Sequence, residues 1–222
     1  MRGLADEAMD AYYSCCGKSI CRGCIGSFRE SGNIGSCPFC KAGRKRISDE
    51  ERVEEMMKRV EVNDAGAICA LGSCYLHGQV GLLQDEEKAK ELWTQAADLG
   101  SNQAHYNLGN HFDDGGDLKK AKFHLEAAAM AGHEAARYNL GCIEAEAQNM
   151  DRAFKHWMIA ASAGHYKAMH PLIKQFERGY VSRDPIDSTL TAYNNSCAEM
   201  RSESRDAYIR KYMSNIANYN KI

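Results

Sequence analysis

Six of the ten cysteines in this 222-residue chain lie close together near its N-terminal end. They are Cys15, Cys16, Cys21, Cys24, Cys37 and Cys40, so that two C-x2-C pairs stand twelve residues apart. Each C-x2-C pair places two thiolates on one tight turn, and two such turns complete a tetrahedral zinc site. Zinc is therefore the predicted cofactor, and all six cysteines are candidate ligands.

Disulfides are the alternative use of closely spaced cysteines, and the start of the chain argues against them. The first ten residues, MRGLADEAMD, lack the apolar stretch of a secretion signal, and no run approaches the length of a membrane span. A cytoplasmic or nuclear location is therefore predicted, where thiols stay reduced and bind metal. The segment also has few large apolar side chains. A module under about 50 residues rarely folds without a bound metal or a disulfide to hold it together.

The charge of the chain is unevenly distributed, although its net value is only −2. Residues 1–47 contain eight Lys or Arg and four Asp or Glu. The remaining residues contain 20 Lys or Arg and 26 Asp or Glu. The cysteine-rich segment is thus mildly basic and the rest mildly acidic. Because the chain as a whole has no strongly basic surface and the segment few aromatic residues, nucleic acid is not an expected partner.

Two short motifs recur along the rest of the chain at a nearly constant spacing. Ala-Ala-x-x-Gly occurs at 96–100, 128–132 and 160–164, and Leu-Gly occurs at 71–72, 108–109 and 140–141. Five extra residues in the first unit predict a longer loop at His77–Asp85, and a degraded fourth copy is expected from Met169. Recurrence of this kind predicts a repeat protein.

Each unit is predicted to be a pair of helices. In the second unit, helix A covers Ala104–Phe112, helix B covers Leu118–Ala131, and Gly132 ends helix B in a left-handed conformation. Glycine in helix A and alanine in helix B let helices approach closely, so that units stack around a continuous core. The side chains expected to fill that core are Leu92, Trp93, Phe123, Leu125, Phe154 and Trp157. The predicted fold class is mainly α, an α-solenoid of about four helix-pair repeats with a small N-terminal zinc-stabilised module.

These motifs resemble the Sel-1-like repeat, a relative of the tetratricopeptide repeat. The first unit carries the landmarks Ala67, Leu71-Gly72, Tyr75, Gly78, Lys88-Ala89, Trp93, Ala96-Ala97 and Gly100. The resemblance covers roughly residues 64–200. It implies a solenoid that binds other proteins, usually as an adaptor.

The segments that flank the repeats are predicted to be helical. Ser48-Asp-Glu-Glu51 is a capping-box sequence that opens a linker helix to about Glu61. Another helix is expected from Ile186 towards Glu199. The predicted organisation is a finger at 13–47, a linker helix at 48–63, repeats at 64–200 and a capping helix at 201–222.

The order of the cysteines resembles the later two thirds of a RING finger. Cys16-Gly17 matches the third ligand of that family and its turn, and the last four ligands match Cys21, Cys24, Cys37 and Cys40. In the family, ligand pairs one and three hold one zinc, and pairs two and four hold a second. The resemblance implies a ubiquitin ligase that holds a ubiquitin-conjugating enzyme in a groove. By resemblance the groove residues are Ile25, Pro38 and Phe39, with Lys41 beside ubiquitin.

The finger departs from the family in two ways. Residues 1–14 contain no cysteine or histidine, so the first ligand pair has no counterpart, and Lys18 occupies the usual histidine position. Three alternatives follow. Cys15 and Cys16 complete a second site with Cys37 and Cys40; or Cys21, Cys24, Cys37 and Cys40 form one ribbon-like site; or the chain is shortened at its N-terminus.

The remaining cysteines and the repeat histidines are predicted to be structural. The cysteines outside the finger are Cys69, Cys74, Cys142 and Cys197, and scattered thiols of this kind are usually buried small hydrophobes. His133 and His165 are repeat-equivalent and take the position of Ser101 in the first unit, while His124 and His156 take that of Leu92. Recurrence at such positions favours a structural role.

Two functions remain in view. The first is a zinc-binding protein–protein interaction adaptor or scaffold, which needs no catalytic group. The second is a RING-type ubiquitin ligase whose repeats recruit the substrate. The sequence contains no P-loop, G-x-S-x-G or H-E-x-x-H motif, so no other enzyme class is predicted.

Overall fold

The computed structural model describes residues 11–13, 15–16, 18–20, 37, 40 and 48–199. These residues form two compact units, one within residues 11–89 and one within residues 90–199. Several predictions fall outside the described residues, namely those for Cys21, Cys24, Ile25, Pro38, Phe39, Lys41, the side chain of Cys197 and the tail at 201–222.

The first unit begins with a small antiparallel pair of strands, β1 (Ala11–Tyr13) and β2 (Lys18–Ile20). Tyr12 pairs with Ser19 in their register, and the connecting turn contains Cys15 and Cys16. The backbone N–H of Cys16 donates to the carbonyl of Tyr13 at 3.2 Å. The strand pair therefore positions two of the predicted metal ligands.

Helix α1 (Asp49–Val60) confirms the predicted linker helix. The Ser48 hydroxyl accepts a hydrogen bond from the Glu51 N–H, and the Glu51 carboxylate accepts one from the Ser48 N–H. Helix α2 (Ala65–His77) follows, and the Asp64 carboxylate caps it by accepting from the Ala67 N–H at 3.0 Å. The longer loop predicted at His77–Asp85 lies between α2 and the next helix.

Helices account for most of the remaining described chain. They are α3 (Glu86–Asp98), α4 (Asn102–Asp114), α5 (Leu118–Met130), α6 (Glu134–Glu146), α7 (Met150–Ser162), α8 (Met169–Glu177) and α9 (Arg183–Glu199). The helices predicted for the second unit, α4 and α5, are observed within two residues of the expected ends. No helix in the described residues is long and apolar enough to cross a membrane.

The Ala-Ala-x-x-Gly motif ends helix B of each unit as predicted. Gly100, Gly132 and Gly164 have φ angles of 86°, 87° and 89°, in the left-handed region that a β-carbon disfavours. The backbone N–H of the next residue then donates to the last free carbonyls of the helix, as from His133 to Ala128. The chain therefore reverses at the same point in every repeat.

Glycine in helix A allows the close helix contacts that the sequence predicts. A β-carbon on Gly109 would lie 2.6 Å from Cγ of Leu125, and one on Gly141 would lie 2.5 Å from Cδ1 of Trp157. Leu92, Trp93, Leu125 and Trp157 are buried, and Phe154 packs partly buried beside Trp157.

The prediction that Phe123 fills the core is wrong, because this side chain is 65% exposed. It lies two residues before Leu125, about 200° around the helix, so only one of the two can face inward. Leu125 occupies the buried face with Ala121, Ala128 and Ala129.

A fourth helix pair follows the third repeat, as expected. It begins with a short 3₁₀ turn at Tyr166–Ala168 before α8, and Leu172 is fully buried. Helix α9 starts at Arg183 rather than at Ile186, because Pro185 lies in the first turn, where a missing N–H breaks no helical hydrogen bond.

Candidate metal centre and interaction surface

Four cysteines of the first unit converge on one point. The sulfur atoms of Cys15, Cys16, Cys37 and Cys40 all lie within 4.8 Å of one another. The Cys16 and Cys37 sulfurs are 3.7 Å apart, and those of Cys15 and Cys40 are 3.6 Å apart. These four thiols form the only group of three or more potential metal ligands among the described residues.

The sulfur separations suit a metal better than a disulfide. A disulfide joins sulfurs about 2.0 Å apart, and all four residues are thiols rather than disulfides. Zinc binds thiolate sulfur at about 2.3 Å, so the sulfurs of a tetrahedral site lie about 3.8 Å apart. The two shortest separations therefore match edges of such a tetrahedron. The cluster can bind a metal ion with small movements of its ligands.

The electrostatics of the cluster hold one of its thiols in the neutral form. Burial of the thiol, together with its hydrogen bonds to Cys37 and Cys40, raises the pKa of Cys15 above its usual range. Burial raises a thiol pKa because the thiolate would lose its hydration, and the neighbouring Cys37 and Cys40 thiols add to this effect at Cys15. Cys37 is buried, whereas Cys15 and Cys40 are exposed, so one side of the cluster is open to an entering ion.

The cluster corresponds to one of the three alternatives that the spacing leaves open. Cys15 and Cys16 come from the turn after β1 and meet Cys37 and Cys40, which form one C-x2-C pair. Cys21 and Cys24, the other predicted pair, lie outside the described residues.

The strand that precedes the ligands also contacts the start of helix α2, a link that no motif in the sequence indicates. The Tyr12 hydroxyl donates to Oδ2 of Asp64 at 3.3 Å, and the Arg59 guanidinium pairs with the same oxygen at 3.1 Å. Burial, with the nearby Asp64 carboxylate, raises the pKa of Tyr12, so the hydroxyl keeps its proton and donates. The sequence does contain a helix-capping aspartate before an apolar helix. However, no motif spacing links Asp64 to Tyr12.

Hydrogen-bonded amides line the face shared by α4 and α6 in the second unit. The Gln103 amide donates to Oδ1 of Asn107 at 3.0 Å, and the Asn139 amide donates to Oδ1 of Asn110 at 2.7 Å. His133 donates through Nε2 to Oε1 of Gln103 at 3.2 Å. All of these side chains are half-buried, so the face offers water-accessible polar groups. We call Gln103, Asn107, Asn110 and Asn139 the amide row.

His133 has the structural role predicted from its position. Its Nδ1 accepts from the Ala136 N–H at 3.3 Å and caps α6, as the Ser101 hydroxyl caps α4. Its ring also stacks on Tyr106, with centroids 4.4 Å apart. The equivalent His165 packs against Tyr138, but its Nδ1 is buried without a protein hydrogen-bond partner among the described residues.

The other predicted structural residues differ in burial. His124 stacks on Phe112, and its Nδ1 lies 3.0 Å from Nδ1 of His105. Cys69 is buried as expected, whereas Cys74 and Cys142 are only half-buried. Nδ1 of His156 is buried with no protein partner in the described part of the chain.

Comparison with known proteins identifies the repeats. The Sel1 repeat family matches residues 65–101, 102–133 and 135–165. The fold is similar to the crystal structure of a Sel1 repeat protein from Oxalobacter formigenes, with a TM-score of 0.59 and 20% identity over 81% of this chain and 72% of that one. No curated protein matches the chain.

The second solved structure is that of c5321, a protective antigen present in uropathogenic Escherichia coli strains that displays an SLR fold. The TM-score is 0.55, and the identity is 21% over 86% of this chain. The match spans 44% of the c5321 chain. Both likenesses concern the fold. Residues 65–165 of this chain therefore match three consecutive Sel1 repeats, and the described helices have a fold similar to that of solved Sel1-repeat proteins.

Proposed function

We propose that this chain is a zinc-binding scaffold whose Sel1 repeats bind a protein client. The observation that carries this proposal is the run of three matched repeats at residues 65–165. Stacked helix-pair repeats use their small and aromatic residues for packing and present an extended surface of the remaining side chains to partners. A scaffold of this kind needs no catalytic group.

The amide row is the client surface that the geometry favours. Amide side chains both donate and accept hydrogen bonds, so they can pair with the backbone of an extended segment of another protein. Asn110 and Asn139 come from adjacent repeats and already bond across them at 2.7 Å. Their positions are therefore set before a client arrives, which reduces the entropy lost on binding.

The client surface can be tested by comparing two variants in cells. Proteins captured by the wild-type chain should be lost from a double variant, Asn110→Ala with Asn139→Ala. They should be kept by Glu126→Ala, an exposed change on α5. Quantitative mass spectrometry of the captured proteins measures both. Equal capture by all three chains would contradict the role of the amide row.

The metal that we assign to the four-cysteine cluster is zinc. A set of four thiolates with sulfurs at these separations is typical of structural zinc sites, which contribute directly to folding. Cys15, Cys16, Cys37 and Cys40 would hold the ion, which would staple a segment that has only a small strand pair among its described residues.

Substitution of one ligand should remove the metal. We expect about one zinc per chain in the purified protein and none in Cys37→Ser, because three thiolates bind structural zinc far more weakly than four. Elemental analysis measures the content directly. Cys74→Ser, which changes a half-buried repeat thiol, is the matched control and should keep its zinc. A wild-type chain without zinc would refute the assignment.

A second candidate function is a RING-type ubiquitin ligase. It is favoured by the pairing of Cys15 and Cys16 with Cys37 and Cys40, which corresponds to the second zinc site of the RING resemblance. The first site would then need Cys21 and Cys24. Two zinc ions per chain, and autoubiquitination that Cys37→Ser abolishes, would support this candidate over the plain scaffold. One zinc without ubiquitin transfer would reject it.

A further inference from the structure

Two ligands of the four-cysteine cluster are connected through the chain to the three-residue strand β1. Cys15 and Cys16 closely follow β1, and the Cys16 N–H bonds back to the Tyr13 carbonyl at 3.2 Å. Tyr12, in the middle of this strand, pairs with Ser19 of β2. A movement of the ligand turn must therefore move Tyr12, because only two residues separate Tyr12 from the first cysteine.

The other side of Tyr12 contacts the first turn of α2. Its hydroxyl reaches the Asp64 carboxylate, the same group whose other oxygen caps α2 through the Ala67 N–H. Its ring covers Gly66 so closely that a β-carbon there would lie 3.3 Å from Cε2 of Tyr12. Tyr12 thus stabilises the cap of α2 and shields its first turn from water.

The strand pair is too small to hold this contact alone. Two antiparallel strands of three residues each are at best marginally stable in water. In small metal-binding modules the free energy of metal binding supplies the free energy of folding. When the metal leaves, we therefore expect β1 to lose its order and Tyr12 to leave Asp64 and Gly66.

We propose that metal occupancy of the four-cysteine cluster controls the stability of α2 through Tyr12. The inference rests on the zinc site proposed above. Helix α2 belongs to the first matched Sel1 repeat, so the first turn of that repeat would open when zinc is removed.

The effect should be local and measurable by hydrogen exchange. In the full-length chain, chelation of zinc should speed amide exchange in α2 about tenfold, the effect of losing one hydrogen bond and the ring contact. Exchange in α6 should not change and serves as the internal reference. The Arg59–Asp64 pair remains after chelation, so the helix should loosen rather than unfold.

Tyr12→Ala separates the coupling from the metal site. This variant should keep one zinc per chain, because Tyr12 is not a ligand, yet α2 should exchange about tenfold faster whether or not zinc is bound. Tyr12→Phe keeps the ring over Gly66 but lacks the hydroxyl. Its exchange rate in α2 should therefore lie between those of the zinc-bound wild type and Tyr12→Ala. If the wild-type chain binds zinc but α2 exchanges equally with and without it, the coupling is refuted while the zinc site stands. If the wild-type chain binds no zinc, both proposals fail.

Discussion

Replacement of Gly141 by alanine is expected to destabilise the repeats by about 2 kcal/mol. The added β-carbon would lie 2.5 Å from both Cδ1 and Nε1 of Trp157. Trp157 is only 5% exposed, so its rigid indole cannot move into solvent to relieve the overlap. Alanine favours a helix over glycine by about 1 kcal/mol, which offsets only part of an overlap costing about 3 kcal/mol. Urea unfolding followed by circular dichroism measures the difference.

A double-mutant cycle tests the cause of this loss. In a Trp157→Ala background the overlap disappears, so Gly141→Ala should become neutral or stabilising by up to about 1 kcal/mol. Gly109→Ala is the companion variant, since its β-carbon would meet the more flexible Leu125 at 2.6 Å. The explanation fails if Gly141→Ala costs the same with tryptophan and with alanine at position 157.

Acid is expected to destabilise the second unit through His165. Burial, with smaller effects from Lys167 and His133, lowers the pKa of His165 to about 4, against about 6.5 in an unfolded chain. The unfolded chain therefore binds the proton more readily, so this contribution is complete above pH 6.5 and is lost as the pH falls towards 4. A shift of this size corresponds to about 3 kcal/mol of unfolding free energy.

His165→Asn should reduce this loss of stability in acid. Asparagine does not titrate and is favoured at the start of a helix, so stability near neutral pH should change by less than about 1 kcal/mol. Part of the acid sensitivity should remain, because burial also lowers the pKa values of His133 and His156. Urea unfolding at a series of pH values gives the curves, with the exposed His170→Asn as the matched control. Parallel curves for the wild type and His165→Asn would contradict the assignment.

Features that depend on neighbouring residues were predictable from the sequence. The capping box at Ser48 and Glu51, the left-handed glycines at 100, 132 and 164, and the helix pairs all follow from contacts within a few residues. The constant spacing of 32 residues extended these local predictions to a repeat fold, because each repeat makes the same contacts with the next. The family match at residues 65–165 confirms that inference.

Features that depend on which faces meet were not predictable in this way. Phe123 has the residue type of a core side chain but lies on the exposed face of α5. Glu144 has the residue type of a solvated helix face, yet it is 3% exposed and pairs with Lys122 at 2.8 Å. Lys122 lies 22 residues away, so only the packing of α5 against α6 brings the two charges together.

The cysteine cluster shows the same division. The spacing of cysteines determines which thiols share a turn, because a C-x2-C pair closes over four residues, and it therefore predicted a metal ligand set with three alternatives. The spacing does not determine which two turns share an ion. That choice depends on the tertiary contact between Cys16 and Cys37, which are 21 positions apart in the sequence. The tertiary structure brings Cys15 and Cys16 to Cys37 and Cys40, and it places Tyr12 between that cluster and the first repeat helix.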